Sequence, residues 1–112
     1  MSESVLYKRL GFSVTISATR GSTSYEVADE DGIVVRARST DFLFATADLV
    51  LDAKFELPER GDEIEVTETF DKLTYEVLDL GDAGHYRYSD PLSLTLRVFT
   101  KLTKTETILI PE

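Results

Sequence analysis

The chain contains no cysteine, tryptophan, asparagine or glutamine, and it has one histidine and three prolines. Without cysteine there is no disulfide framework and no thiolate zinc site, a composition that suits a reducing compartment. Sugar grooves commonly stack on indoles and hydrogen-bond through amides, so that class of function loses ground. Long apolar runs are missing as well. The opening MSESVLYKRLGF has no signal-peptide core, and no stretch reaches membrane-span length. The protein is therefore expected to stay in the cytoplasm where it is made, or to leave by lysis. Base is scarce: 12 Lys and Arg face 21 Asp and Glu, for a net charge of −9. Residues 56–82 alone carry −8, against −2 for residues 1–55 and +1 for residues 83–112. Such a surface repels phosphate backbones, which argues against a nucleic-acid-gripping role and against duplex-DNA binding at physiological salt. The plain reading of residues 56–82 is a solubilising face.

What the chain does have is alternation. At 112 residues, with 42% apolar residues and eleven aromatics, it has the length and the means to build one small core. Phe12, Val14, Ile16 and Ala18 share one face of an extended run, with Ser13, Thr15 and Ser17 on the other. Tyr25 and Val27 follow, then the turn Asp29-Glu30-Asp31-Gly32, then Ile33, Val35 and Ala37 against Val34, Arg36 and Arg38, which makes a hairpin. The segment from Asp41 to Leu51 is too continuously apolar for a half-exposed strand. It reads as a buried strand with one short helical turn after Thr46. Pro58 to Asp62 is a turn feeding a strand from Glu63 to Thr69, with Ile64 and Val66 inward. Leu73 to Leu78 is the next strand, and Gly81-Asp82-Ala83-Gly84 turns the chain again. The last long strand is expected from Leu92 to Leu102, with Leu92, Leu94, Leu96 and Val98 on one face and Asp90-Pro91 opening it. The expectation is one all-β domain over residues 1–112: a small closed barrel or sandwich of six to eight antiparallel strands with at most one short helix. Residues 1–10 and 103–112 are expected as mobile arms.

No arrangement of chemical groups rises above its bland reading. His85, Ser89 and Asp90 lie within six residues on a turn-rich stretch, whereas a catalytic triad usually draws its members from separate parts of the chain. A calcium loop with Gly32 at its sixth position would start at Val27 and end at Arg38, where acid ligands are required. Carboxylate pairs are plentiful (Asp62 with Glu63, Glu65 with Glu68, Asp79 with Asp82), yet nothing marks a cleft that would raise one of them for acid–base work. The six glycines are scattered and form no phosphate loop. No catalytic residue, metal ligand or cofactor is expected. Tyr86-Arg87-Tyr88-Ser89-Asp90-Pro91 is the most unusual string. Its two tyrosines point one way from an extended chain, either as cover for a barrel end or as an aromatic anchor at an interface.

The ordered set YEVADEDGIVVRARSTDFLFATADLVL, LPERGD, TYEV and YRYSDPLSLTLRVFTK, from about Gly11 to Lys101, resembles a family of short proteins encoded in prophage structural gene clusters: the head–tail joining, or neck, proteins of tailed bacteriophages. In such proteins the aromatic pair before Ser-Asp-Pro is usually tryptophan; here it is Tyr86 and Tyr88. The resemblance implies a non-enzymatic virion subunit, a connector of head-completion or stopper type. It would form a homo-oligomeric ring with portal or adaptor and tail terminator as partners, would be assembled in the host cytoplasm and would have no membrane partner. A compact chain of this length has a radius of gyration of about 13 Å, so six copies in a ring leave a bore of roughly 34 Å, enough for duplex DNA. Glu63, Glu65, Glu68 and Asp71 are the candidates for an acidic channel face. Tyr86, Arg87, Tyr88, Ile108, Leu109 and Ile110 are the candidates for interfaces. The terminal apolar cluster either returns to its own sheet or adds a strand to a neighbour's, and the ring reading favours the neighbour. The rival reading is a monomeric protein- or ligand-binding module that uses the Tyr86–Tyr88 patch. An enzyme working through a carboxylate pair ranks third.

Overall fold

The computed structural model describes residues 2–28, 30–80 and 84–107; of Val27 it describes the backbone only. Nine extended segments follow one another: β1 (Glu3–Arg9), β2 (Phe12–Ala28), β3 (Val34–Ala45), β4 (Val50–Leu51), β5 (Lys54–Phe55), β6 (Glu63–Thr67), β7 (Asp71–Val77), β8 (Tyr86–Tyr88) and β9 (Thr95–Thr107). The expected helical turn after Thr46 is a single 3-10 turn, Thr46–Asp48, and no α-helix occurs among the described residues. All pairings are antiparallel. β4 and β5 form a small separate ribbon, and the other seven strands form one sheet. That sheet closes on itself, because β3 pairs with β9 as well as with β2: the hydrogen-bonded ring runs β1–β2–β3–β9–β7–β6 and back to β1.

Closure supplies an inside, and the inside is filled by every second residue of each strand. Val5 and Tyr7 of β1, Ile16 and Ala18 of β2, Phe42 and Phe44 of β3, Ile64 and Val66 of β6, Val77 of β7, and Leu96 and Val98 of β9 are all buried there. Leu49, just after the 3-10 turn, and Leu51 of β4 join the same core. The alternation expected for β2 (Ile16, Ala18) and β6 (Ile64, Val66) is therefore the in–out pattern of this sheet. The alternation expected at Ile33, Val35 and Ala37 is not: Ile33, Val34 and Val35 are all exposed, and β3 buries the opposite face through Phe42 and Phe44. Leu73, Tyr75 and Val77 keep the alternation in β7, and the register slips in β9 instead: Thr74 pairs with Lys104 and Tyr75 with Leu102, so Thr103 is the extra residue of a bulge.

Three expectations need correction. The expected arm at residues 1–10 is, from Glu3 to Arg9, a strand between β2 and β6, with Val5 and Tyr7 in the core. Two inward apolar residues are too few to announce a strand by periodicity. Residues 103–107 belong to β9 and pair with Asp71–Thr74 of β7, so the tail returns to its own sheet at least that far. Ile108, Leu109 and Ile110 lie outside the described residues, as do Asp29 and Gly81–Ala83. The last strand begins at Thr95, not Leu92, because Asp90 organises the preceding residues into a turn.

Closure consumes only part of the long strands. β1 covers β2 up to Ala18, and β9 covers β3 only from Thr40 onward, so the end of the β2–β3 hairpin projects from the ring. The radius of gyration is 15.2 Å, above the roughly 13 Å of a compact chain of this length.

Gly61 opens β6 with φ +92 and donates its amide to the Val77 carbonyl at 2.9 Å. Space is not the constraint there, since an added Cβ meets nothing within 4 Å. The backbone conformation is the constraint, because L-residues rarely adopt it. Gly61→Val is expected to cost about 1–3 kcal/mol, whereas Glu59 and Glu63 tolerate substitution. Urea unfolding of the three variants checks this, and an unchanged midpoint for Gly61→Val contradicts it.

Candidate protein interface

One end of the molecule carries large apolar side chains that its own core does not use. Phe55 is 77% exposed, Leu92 74% and Leu94 62%, with Leu57 also exposed. Phe55, Leu57 and Leu94 line one open groove together with Thr46, Ala47, Glu56 and Ser93. Singly exposed apolar residues are ordinary, but a contiguous group marks a contact surface.

Both halves of this face are held rigidly. In the turn before β9, the Asp90 carboxylate accepts the backbone amides of Leu92 (3.1 Å), Leu94 (2.9 Å) and Thr95 (2.7 Å). Those bonds draw its pKa below the ordinary carboxylate value, against the upward pull of desolvation. Ser93 sits at φ +60. Its carbonyl accepts the Thr46 hydroxyl at 2.9 Å, and the Leu94 carbonyl accepts the Thr46 amide at 2.9 Å. Leu92 and Leu94 are thus displayed by a clamped turn rather than by a strand face.

The other half is the loop from Phe55 to Asp62, tied down by a buried ion pair. Asp62 is almost fully buried and receives two bonds from Arg9, at 2.9 Å from Nε and 2.8 Å from Nη2. It also accepts the Tyr7 hydroxyl and, at 2.9 Å, the Glu59 amide. Arg9 Nη2 donates further to the Leu57 carbonyl at 2.6 Å. Burial, followed by the hydrogen bond to Asp62, pushes the Tyr7 phenol well above its ordinary pKa, and the bond to Asp62 raises that of Arg9. His85 Nε2 lies 2.7 Å from the Pro58 carbonyl, which can only accept, so Nε2 carries the proton. Arg60 reaches Asp79 at 2.7 Å.

The string Tyr86-Arg87-Tyr88 forms edge strand β8 against β9. Tyr86 and Tyr88 share a face with ring centroids 6.2 Å apart, and Tyr86 packs against the core. Arg87 points to the opposite face, 6.0 Å from the Phe99 ring. Tyr86 and His85 border a second groove along Phe55–Arg60, so this aromatic pair adjoins the apolar face. The acidic candidates are less bare than their sequence suggests. Glu65 is held by Lys8 at 2.5 Å and Lys72 at 3.2 Å. Burial alone would raise its pKa, but the two lysines together bring it below the ordinary value. Glu68 lies 3.5 Å from Arg20, and Glu63 and Asp71 complete this part of β6 and β7. Among the described residues, no three His, Asp or Glu side chains are gathered to hold a metal. Phe55, Leu57 and the Asp90 clamp were not foreseen; the Asp-Pro-x-x-x-Thr spacing of a capping turn was the available signal.

Comparison with known proteins identifies the family. Residues 1–107 match the phage head-tail joining protein family. The chain belongs to that family. No curated protein and no solved structure matches it. Membership makes the chain a structural component of the phage neck that works in contact with other virion proteins. A head–tail joining protein presents surface to its neighbours, and the groove at Phe55, Leu57 and Leu94 is one exposed apolar surface of this chain, beside others at Leu10 and at Ile33, Val34 and Val35.

Proposed function

We propose that this head–tail joining protein is a non-enzymatic subunit of head-completion or stopper type that assembles as a homo-oligomeric ring between portal or adaptor and tail, with the duplex passing through its bore. The observation that carries the reading is the preorganised apolar face at Phe55, Leu57, Leu92 and Leu94, which contributes nothing to the chain's own core. Clamping such residues before a partner arrives lowers the ordering cost of association. Tyr86 and Tyr88 extend the same contact surface. The net charge of −9 supports passage of DNA without adhesion, with Glu63, Glu65, Glu68 and Asp71 as the acidic contributors.

The test is a Leu92→Ser/Leu94→Ser double variant that keeps Asp90. It should fold with an unchanged melting temperature and fail to co-purify with co-expressed portal and tail-completion proteins. Normal incorporation of the variant into neck complexes would overturn the assignment of this face.

A further inference from the structure

The seam that closes the ring is zipped over only part of its length. β3 and β9 pair from Ala45↔Thr95 to Thr40↔Thr100 and no further. Both strands continue past that point, β3 through Val34–Ser39 held by β2 and β9 through Lys101–Thr107 held by β7. The edge that each strand uses for the other in the zipped part is the edge left open in the unzipped part. Among the described residues no strand pairs with either open edge. At the apex, where the strands part, lies a groove lined by Tyr25, Ala37, Ser39, Leu80, Phe99 and Thr100.

Two open edges flanking a partly apolar groove form a slot for an added strand, since unpaired backbone amides and carbonyls on an edge are a template for another chain. The charges select what enters. Arg38 and Lys101 stand on the two edges beside the groove. Of the bases further out, Arg36 pairs with Glu26 at 3.8 Å and Lys104 with Glu106 at 2.5 Å, and Asp79 in the groove lining is held by Arg60 at 2.7 Å. Basic residues on an edge also serve to repel self-association. They do so here by disfavouring a second copy's own basic edges, while leaving an acidic strand welcome. We propose that this notch takes up an extended, acidic segment of another virion protein by β-augmentation, with one apolar side chain of that segment seated in the apex groove. The neck reading enters only as the source of the segment.

The test uses the full chain with two synthetic peptides, one alternating glutamate with valine and one alternating lysine with valine. Fluorescence anisotropy should detect the acidic peptide and not the basic one. The Arg38→Glu/Lys101→Glu variant should fold normally and weaken acidic-peptide binding by about tenfold or more. Amide exchange should slow in residues 34–39 and 101–107 on binding. Equal affinity for both peptides, or slowing confined to Phe55–Leu57 and Leu92–Leu94, would refute the proposal. So would slow exchange along both edges in the peptide-free chain, because the edges would then be already occupied, and so would dimerisation in light scattering without peptide. The experiment needs no neck partner, so its failure is separable from failure of the neck assignment, which the co-purification test addresses.

Discussion

Asp62→Ala is expected to lower the unfolding free energy by about 3–5 kcal/mol, the cost of breaking a buried ion pair by removing one partner. The carboxylate is buried and accepts from Arg9, the Tyr7 hydroxyl and the Glu59 amide. Its loss strands the phenol of Tyr7, a side chain with no exposed surface, and leaves the Arg9 guanidinium only the Leu57 carbonyl and the more exposed Glu56 and Glu59 carboxylates, at 3.4 and 3.6 Å. The loop from Phe55 to Asp62 also loses its anchor to β1, so partner binding should weaken even where the variant still folds. Domains of this size have total stabilities of about 5–15 kcal/mol, and the variant should therefore show a markedly lower urea midpoint. A loss below about 1 kcal/mol, the scale of an exposed pair, would mean the pair behaves like a surface salt bridge.

Phe42→Ala should be comparably damaging, at about 3–5 kcal/mol, while Phe55→Ala should be close to neutral for stability. The same side chain is deleted from opposite environments. Phe42 has no exposed surface, sits in β3 between Arg20 of β2 and Val98 of β9, and meets the Tyr75 ring edge-on at 5.2 Å. Its removal opens a cavity at the closure seam that the paired strands cannot collapse. Phe42→Leu, which keeps more of the volume, should cost less than Phe42→Ala. Thermal melts of the three variants decide the matter. Equal losses for Phe42→Ala and Phe55→Ala would mean that Phe55 belongs to the core.

The alternation of β2 and β6 was legible because each strand has one face in the core and one in solvent, whereas that of Ile33, Val35 and Ala37 marked a strand whose end buries neither face. The turn after Thr46 was legible because the apolar run outlasts any single strand. β1 was hidden by having only Val5 and Tyr7 to declare it. Leu92 and Leu94 continue the alternation of Leu96 and Val98 in sequence, but the Asp90 carboxylate captures their amides and turns them outward. The acids were the hardest to place. Asp62 reads as part of a solvated run, and only the fold brings Arg9, 53 residues away, onto it. Asp41 lies within an apolar segment, fully buried, and its partner Arg97 comes from β9. Pairings of that separation leave no local pattern. The family resemblance was carried by ordered turn and strand motifs from Gly11 to Lys101, and the family match extends from residue 1 to 107.

The β3–β9 seam also sets the order in which the molecule can form. Thr40–Ala45 must find Thr95–Thr100, and Leu6–Lys8 must find Glu63–Glu65. Contacts this distant along the chain make for high contact order, which places folding on the slow side for a small domain. During synthesis the β1–β2–β3 meander emerges first and has no closing partner until Thr95–Thr100 leaves the ribosome. Until then Phe42 and Phe44 line an open sheet, so nascent chains are at their most aggregation-prone just before that closing strand emerges.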